Sequence, residues 1–337
     1  MFIGERLNLL ILFPRYYFEH KMSPVRRDVI RELLLWRNRL VAGLPRYHAI
    51  LSGVGWPDYD ESATAQENID RIMPDCHAVL TYKPLGSREV PAMRNFASVR
   101  QLTIETFNEC WHKDRRMMRA VKEANIRLVV LHHLNDMPRW ADVKGPRIVH
   151  IPHCANNWIY AREARPWKER DIPVLLTGVL LKKYYPLRSR LAALIRSGRL
   201  SGKIYPHPGY RLSSLKACDR QQVEYAKLLG RAKLVLGCTS RFKYRLARIP
   251  EIAMAGALCV SDLPDQDREE HAAFMAELSA DVSDDELVDR VRYWLEHDDK
   301  AAEKATLGRH IMMNRYTQLH YVTQLLWAII DALHSLD

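Results

Sequence analysis

Short aliphatic or β-branched runs alternate along this chain with longer stretches in which apolar positions recur at helical spacing. In the first half the runs are LNLLILF, YHAIL, HAVLTY, IRLVVL and RIVHI; in the second they are IPVLLTG, a weaker KIY, AKLVLG and ALCVSD. Such short runs between longer stretches of helical spacing predict parallel strands covered by helices on both faces. Helical spacing between them predicts helices over residues 25–40, 111–124, 187–196, 221–229 and 250–255. Strand signals stop after Asp262, and residues 284–336 read as successive helices, the first opened by the acidic turn of SDDELVDRV. The polar, Pro-containing stretch PHCANNWIYAREARPWKERD separates the two sets of strands and predicts a domain boundary. The expected architecture is α/β, with an N-terminal domain over residues 1–160, a C-terminal domain over 161–315 and a final helix over 316–337.

Composition narrows the class. The 337 residues are 47% hydrophobic, enough to bury a core in each of two domains. The leading apolar run is too short to span a membrane and lacks a cleavage pattern, so it reads as a strand. Six cysteines stand far apart, with no CxxC pair and no Cys/His set at zinc spacing, which predicts free thiols, a cytoplasmic setting and no metal site. Lys and Arg total 51 against 40 Asp and Glu, and the resulting formal charge of +11 favours phosphates, acidic polymers or peripheral contact with an anionic membrane.

In doubly wound sheets ligands bind outside the carboxyl ends of the strands, so the residues just after each run are the functional candidates. Here they read GVGWPDY, HHLNDM, HCANN, GVLLKKYYPLR (opened by Gly178), HPGY and CTSRFKYR. GVGWPD is no dinucleotide fingerprint, since the third glycine is absent and Pro57 interrupts the helix start.

The segment TSRFKYRLARIPEIAMAGALCVSDLPD resembles the nucleotide-sugar region of retaining GT-B glycosyltransferases, with Glu251 opening a helix that ends in Ala255-Gly256. Its order with the GxGW-Y turn, IPHCAN, LLTG followed by YPLR, and HPGY is most similar to the spore-maturation-protein-like branch. The resemblance implies two Rossmann-like lobes with an interdomain cleft and a helical C-terminus crossing back to the first lobe. A donor would be held mainly by the second lobe and an acceptor approached from the first. The implied chemistry is transfer of a glycosyl group from a nucleoside diphosphate sugar, retaining and without a metal or other cofactor. One departure stands out: many relatives carry a glutamate where this chain has Lys243.

The candidate residues follow from that chemistry. Glu251 in a first helical turn suits two hydrogen bonds from a ribose, or simple capping. A departing diphosphate needs fixed cations or N–H donors, for which Arg188, Ser240, Lys243 and Arg245 are candidates, with Gly178 bringing backbone close. At Lys243 the alternative partner of a cation is a carboxylated sugar. Tyr244 braces the sugar or packs; His207 and Tyr210 approach the base or form a Pro-Gly turn. In the first lobe His132, His133 and Asp136 end a strand and are catalytic candidates, as is Asp60 as an acceptor base. His153 and Asn156 are further candidates at the domain junction.

The acceptor is left open between a glycan, a lipid-linked sugar and modified DNA. Two readings compete with transfer. HKDRRMMR and SRFKYRLAR suggest a nucleic-acid-binding protein, although no nucleic-acid-reading motif accompanies them. A sugar-nucleotide epimerase would use the same architecture.

Overall fold

The computed structural model describes residues 6–110, 114–206 and 214–335. These form two compact units, one of residues 6–110, 114–152, 214–215 and 319–335, the other of residues 153–206 and 216–318. The units change at Pro152, inside the polar stretch, and the chain from Leu319 onward groups with the first unit.

Unit 1 is built on β1 (Leu7–Leu12), β2 (Tyr47–Ser52), β3 (Ala78–Thr81), β4 (Leu102–Phe107), β5 (Leu128–Leu131) and β6 (Arg147–His150). They form one parallel sheet in the order β2-β1-β3-β4-β5-β6. The central strands are buried along their whole length because helices cover both faces. β4 went unpredicted. Its sequence LTIETF interrupts the apolar run with Thr103, Glu105 and Thr106, yet all six residues are buried.

In unit 1 the helix Gln318–His334 packs by Tyr321, Val322, Leu325, Leu326 and Ile329, all almost completely buried. It is also tied by an Arg147–Asp331 ion pair and by a hydrogen bond from Trp327 Nε1 to the Gly43 carbonyl. Gly53, after β2, has φ +131° and touches the chain so closely that a Cβ would lie 2.8 Å from the Phe13 carbonyl oxygen. The next turn is pinned to the same carbonyl by Trp56 Nε1 at 2.8 Å, so the GVGW segment joins the ends of β1 and β2.

Unit 2 carries β7 (Ile172–Gly178), β8 (Lys203–Pro206), β9 (Ala232–Leu236), β10 (Leu258–Ser261) and the short β11 (Ala276–Glu277), parallel in the order β11-β10-β9-β7-β8. Helices Pro186–Arg196, Leu215–Arg231 and Arg248–Met254 lie between strands, and Asp284–Glu296 and Asp298–Arg315 follow. Arg170 is the internal tie. Its buried guanidinium donates to the carbonyls of Ala232 (2.7 Å), Ala255 (2.7 Å), Arg165 (2.9 Å) and Leu229 (3.4 Å). Burial lowers its pKa to about 10, so it stays charged at neutral pH.

Among the described residues no helix is long and apolar enough to cross a membrane. All six cysteines are free and buried.

Candidate functional site

Unit 2 gathers most of the expected donor residues at the carboxyl ends of β7, β9 and β10, the three central strands. Gly178 closes β7 with φ +102°, and the space a Cβ would occupy is filled by the Arg248 guanidinium. Arg248 Nη1 donates to the Thr177 carbonyl at 2.5 Å. Glycine is thus required twice at this position, by the left-handed backbone and by the cation lying against it.

Arg248 opens the helix Arg248–Met254, and Glu251 lies in its first turn. The helix ends at Ala255, where Gly256 (φ +72°) donates to Ala253 O and Ala257 N to Ile252 O, the paired bonds of a Schellman termination. The Ala-Gly pair of the sequence motif is therefore a helix stop that also leaves room for Arg170: a Cβ on Gly256 would lie 2.6 Å from its Nη2. Glu251 is half-buried. Tyr225 lies within its electrostatic reach, and burial first, then Glu251, raise the phenol pKa while Arg248 opposes them.

Arg188 is 2% exposed. It donates to Val179 O (3.0 Å) and Cys238 O (3.3 Å) and stacks its guanidinium 4.2 Å from the Tyr185 ring centre. Burial, then the charge of Arg248, lowers its pKa to about 10. Arg188 thereby holds the loops after β7 and β9 together and leaves a permanent positive charge behind them.

The loop after β9 makes two left-handed turns, at Ser240 (φ +69°) and Lys243 (φ +53°). Its organiser is Asp262, just beyond β10 and 4% exposed. Its carboxylate accepts from Thr239 N (2.8 Å), Thr239 Oγ1 (2.5 Å), Ser261 Oγ (3.2 Å) and Lys243 Nζ (2.9 Å). Burial alone would lower the Lys243 pKa, but the bond to Asp262 and its charge outweigh that and leave it raised. The cation that stands where many relatives carry a glutamate thus has a counter-ion of its own. Any ligand anion at Lys243 shares it with Asp262.

Two expectations for this loop change. Tyr244 is 1% exposed and stacked on Phe242 (5.5 Å between ring centres), so it braces the loop from within instead of facing a sugar. Arg245 is equally buried, donates to His153 O at 2.9 Å and lies 3.9 Å from the Tyr316 ring centre; it ties unit 2 internally and is no phosphate ligand. His207 and Tyr210 lie outside the described residues. His153 is buried and Asn156 partly so, both at the start of unit 2.

In unit 1 the strand-end candidates separate. His132 directly follows β5 and is held by a bond from Nδ1–H to the Ile151 carbonyl at 3.0 Å, with the Tyr321 ring centre 5.5 Å away. Burial lowers its pKa to about 3, so the ring is neutral, and a proton on Nδ1 makes Nε2 the acceptor nitrogen.

His133 and Asp136 are 1% and 0% exposed. Asp136 accepts from Cys110 N at 3.3 Å and lies 3.9 Å from Arg139. Both are interior groups, which corrects the expectation that they meet a substrate. Asp60 is exposed, but its Oδ1 caps its own turn by accepting from Ser62 N (2.9 Å) and Ser62 Oγ (2.7 Å). Those bonds lower its pKa, the wrong direction for a base. Among the described residues no group of three or more His, Cys, Asp or Glu is arranged to hold a metal ion.

Sequence reasoning missed Arg248 and Asp262 in unit 2. Arg248 was one cation among many in SRFKYRLAR, and its signal is the positive-φ glycine whose side it fills.

Residues 187–327 match the family model described as glycosyl transferase-like. No curated protein sequence matches the chain. Solved structures do. The Anabaena protein HepE in complex with UDP-glucose superposes with TM-score 0.61 at 13% identity, over 98% of this chain and 100% of that one. Sucrose-phosphate synthase from Thermosynechococcus elongatus gives 0.58 at 11% identity, over 98% and 100%. An α-glucosyltransferase in complex with UDP gives 0.59 at 9% identity, over 96% and 100%. The chain thus shares the two-sheet GT-B fold of these solved structures, and the match to the glycosyl transferase-like model runs through the strand-end assembly of unit 2.

Proposed function

We propose that the protein transfers a glycosyl group from a nucleoside diphosphate sugar held by unit 2 to a hydroxylated acceptor. The carrying observation is the grouping of Gly178, Arg248 and Glu251 at the carboxyl end of β7, backed by Arg188, inside the segment that matches the family model. Glu251 takes the ribose hydroxyls. Arg248, with the backbone N–H groups around Ser240, takes the diphosphate, and the buried charge of Arg188 lowers the potential cost of a second anion. Lys243 takes part through its shared pairing with Asp262.

Transfer with retention and without a metal follows from the resemblance in sequence and from a site that supplies fixed cations of its own. The HepE and α-glucosyltransferase complexes hold UDP-glucose and UDP, which makes uridine nucleotides the first donors to try.

The test is a thermal-shift panel of UDP, GDP, ADP and CMP with their sugars, since a ligand that binds only the folded state raises its melting temperature. One selective response is expected. Absence of a response to every nucleotide would overturn the assignment. With the responding donor, the anomeric configuration of the product by NMR and activity in excess EDTA decide retention and metal independence.

A further inference from the structure

A second constellation lies in unit 1 at the carboxyl ends of β3 and β4, on residues that the motifs did not mark. Glu105 of β4 stands opposite Thr81 of β3 in the register and is 5% exposed. One carboxyl oxygen accepts from Lys83 N at 3.2 Å; the other has no hydrogen-bond partner among the described residues. Lys83 sits at a left-handed turn (φ +51°) immediately past β3. Its ammonium donates to Tyr17 OH at 3.1 Å and lies 4.3 Å and 5.3 Å from the ring centres of Tyr17 and Tyr82.

Arg26, in the first turn of the helix Pro24–Trp36, donates to Thr106 O at 2.7 Å and lies 4.5 Å from the Tyr82 ring centre. Its buried Nε has no partner. Neither Arg26 nor Lys83 has a carboxylate within ion-pair distance among the described residues. Glu89 is engaged by Lys21 and Tyr17.

Two half-buried cations without counter-ions, two tyrosine rings and a carboxyl group with an open oxygen therefore meet at the end of a parallel sheet, where such sheets take ligands. The cations attract an anion, and the tyrosine rings they lie against hold them in place. Glu105 supplies a directed acceptor for a hydroxyl. Burial raises the carboxyl pKa to about 7 against the pull of Lys83 and Arg26, so near neutrality the cluster keeps a net positive charge.

We propose that this cluster is the acceptor subsite and that it takes a sugar bearing one anionic group, a phosphate or a carboxylate. Arg26 and Lys83 meet the anion, and Glu105 meets a ring hydroxyl. The inference rests on the transferase reading of unit 2 for the word acceptor, but its binding chemistry belongs to unit 1 alone.

Titration calorimetry on the full chain tests it with glucose 6-phosphate, glucuronate, glucose and inorganic phosphate, with UDP titrated into each sample as a separate check on unit 2. Binding of an anionic sugar at millimolar or lower concentration is expected, weakening with added salt, with glucose at least tenfold weaker. Lys83→Asn, chosen because asparagine accepts the left-handed turn, and Arg26→Gln should each weaken that binding at least tenfold. Lys83→Arg should retain it. Glu105→Leu should weaken the sugar and leave inorganic phosphate unchanged.

The proposal is overturned if no anionic sugar binds, if glucose binds as well as its charged relatives, or if these variants bind as the wild type does. Should a variant fail to fold, the salt dependence of the wild type carries the same decision about charge. A protein that binds the anionic sugar but no nucleotide would fault the donor reading of unit 2; one that binds nucleotide alone would fault the subsite.

Discussion

Individual side chains show how differently one chemical group behaves in different surroundings. Asp60, Asp136, Asp262, Glu105 and Glu251 all carry carboxyls near strand ends or helix starts, and the first three serve the protein's own structure. Asp60 caps its own turn, Asp136 is sealed inside and Asp262 organises a loop. Glu251→Ala should lower nucleoside diphosphate affinity by about 1–3 kcal/mol by calorimetry, the loss of charge-assisted hydrogen bonds, while leaving the urea midpoint near the wild-type value.

Gly178→Ala should destabilise the protein by about 1–3 kcal/mol, because the backbone is left-handed there and the new methyl meets Arg248. Combined with Arg248→Ala the cost should fall. A double-mutant cycle showing strict additivity would remove that contact from the account.

Glu105 gives a dependence on pH. Its folded pKa, about 7, is raised above the ordinary value of 4.5, so its contribution to stability is fully present below about pH 4.5 and is lost as pH rises through 7. Glu105→Gln should flatten that part of the stability profile, by on the order of 3 kcal/mol at most, in urea titrations from pH 5 to 8.5.

At the scale of elements, the strands that were legible were those with successive apolar positions, such as LNLLILF and AKLVLG, each interrupted by a single polar residue, Asn8 or Lys233. β4 was hidden because its buried positions include a glutamate and two threonines, which a reading by hydropathy assigns to the surface. The same polarity gives the strand its chemistry. The helix Arg248–Met254 was legible from PEIAMAG, but the sequence did not reveal that its glycine serves Arg170 as well as its own termination. Arg170→Leu leaves the carbonyls of Leu229, Ala232, Ala255 and Arg165 without their donor inside unit 2. A loss of about 3 kcal/mol or more is expected in denaturant unfolding, with little change in the fold of whatever remains native.

At the scale of the whole molecule, the charge of +11 is spread over both units, and many of its cations are committed internally, among them Arg170, Arg188 and Arg245. Binding to a generic DNA duplex should accordingly be weak and largely abolished between 50 and 200 mM salt in a filter assay; tight salt-resistant binding would restore the nucleic-acid reading. The sequence by itself determined the class of fold, because short runs with successive apolar positions, set between helical stretches, bury both of their faces as the middle strands of a covered parallel sheet do. The glycosyltransferase reading was also made from the sequence, on motifs and their order, whereas the solved structures of the same fold share only 9–13% identity with the chain. Only the tertiary structure decided which charged side chains are spent inside the protein and which are left for a ligand. Burial and partnership are set by residues far apart in the chain: Lys243 by Asp262, Arg188 by Val179 and Cys238, Glu105 by Lys83. Local sequence carries the type of each group, and the three-dimensional neighbours fix its charge state and its availability.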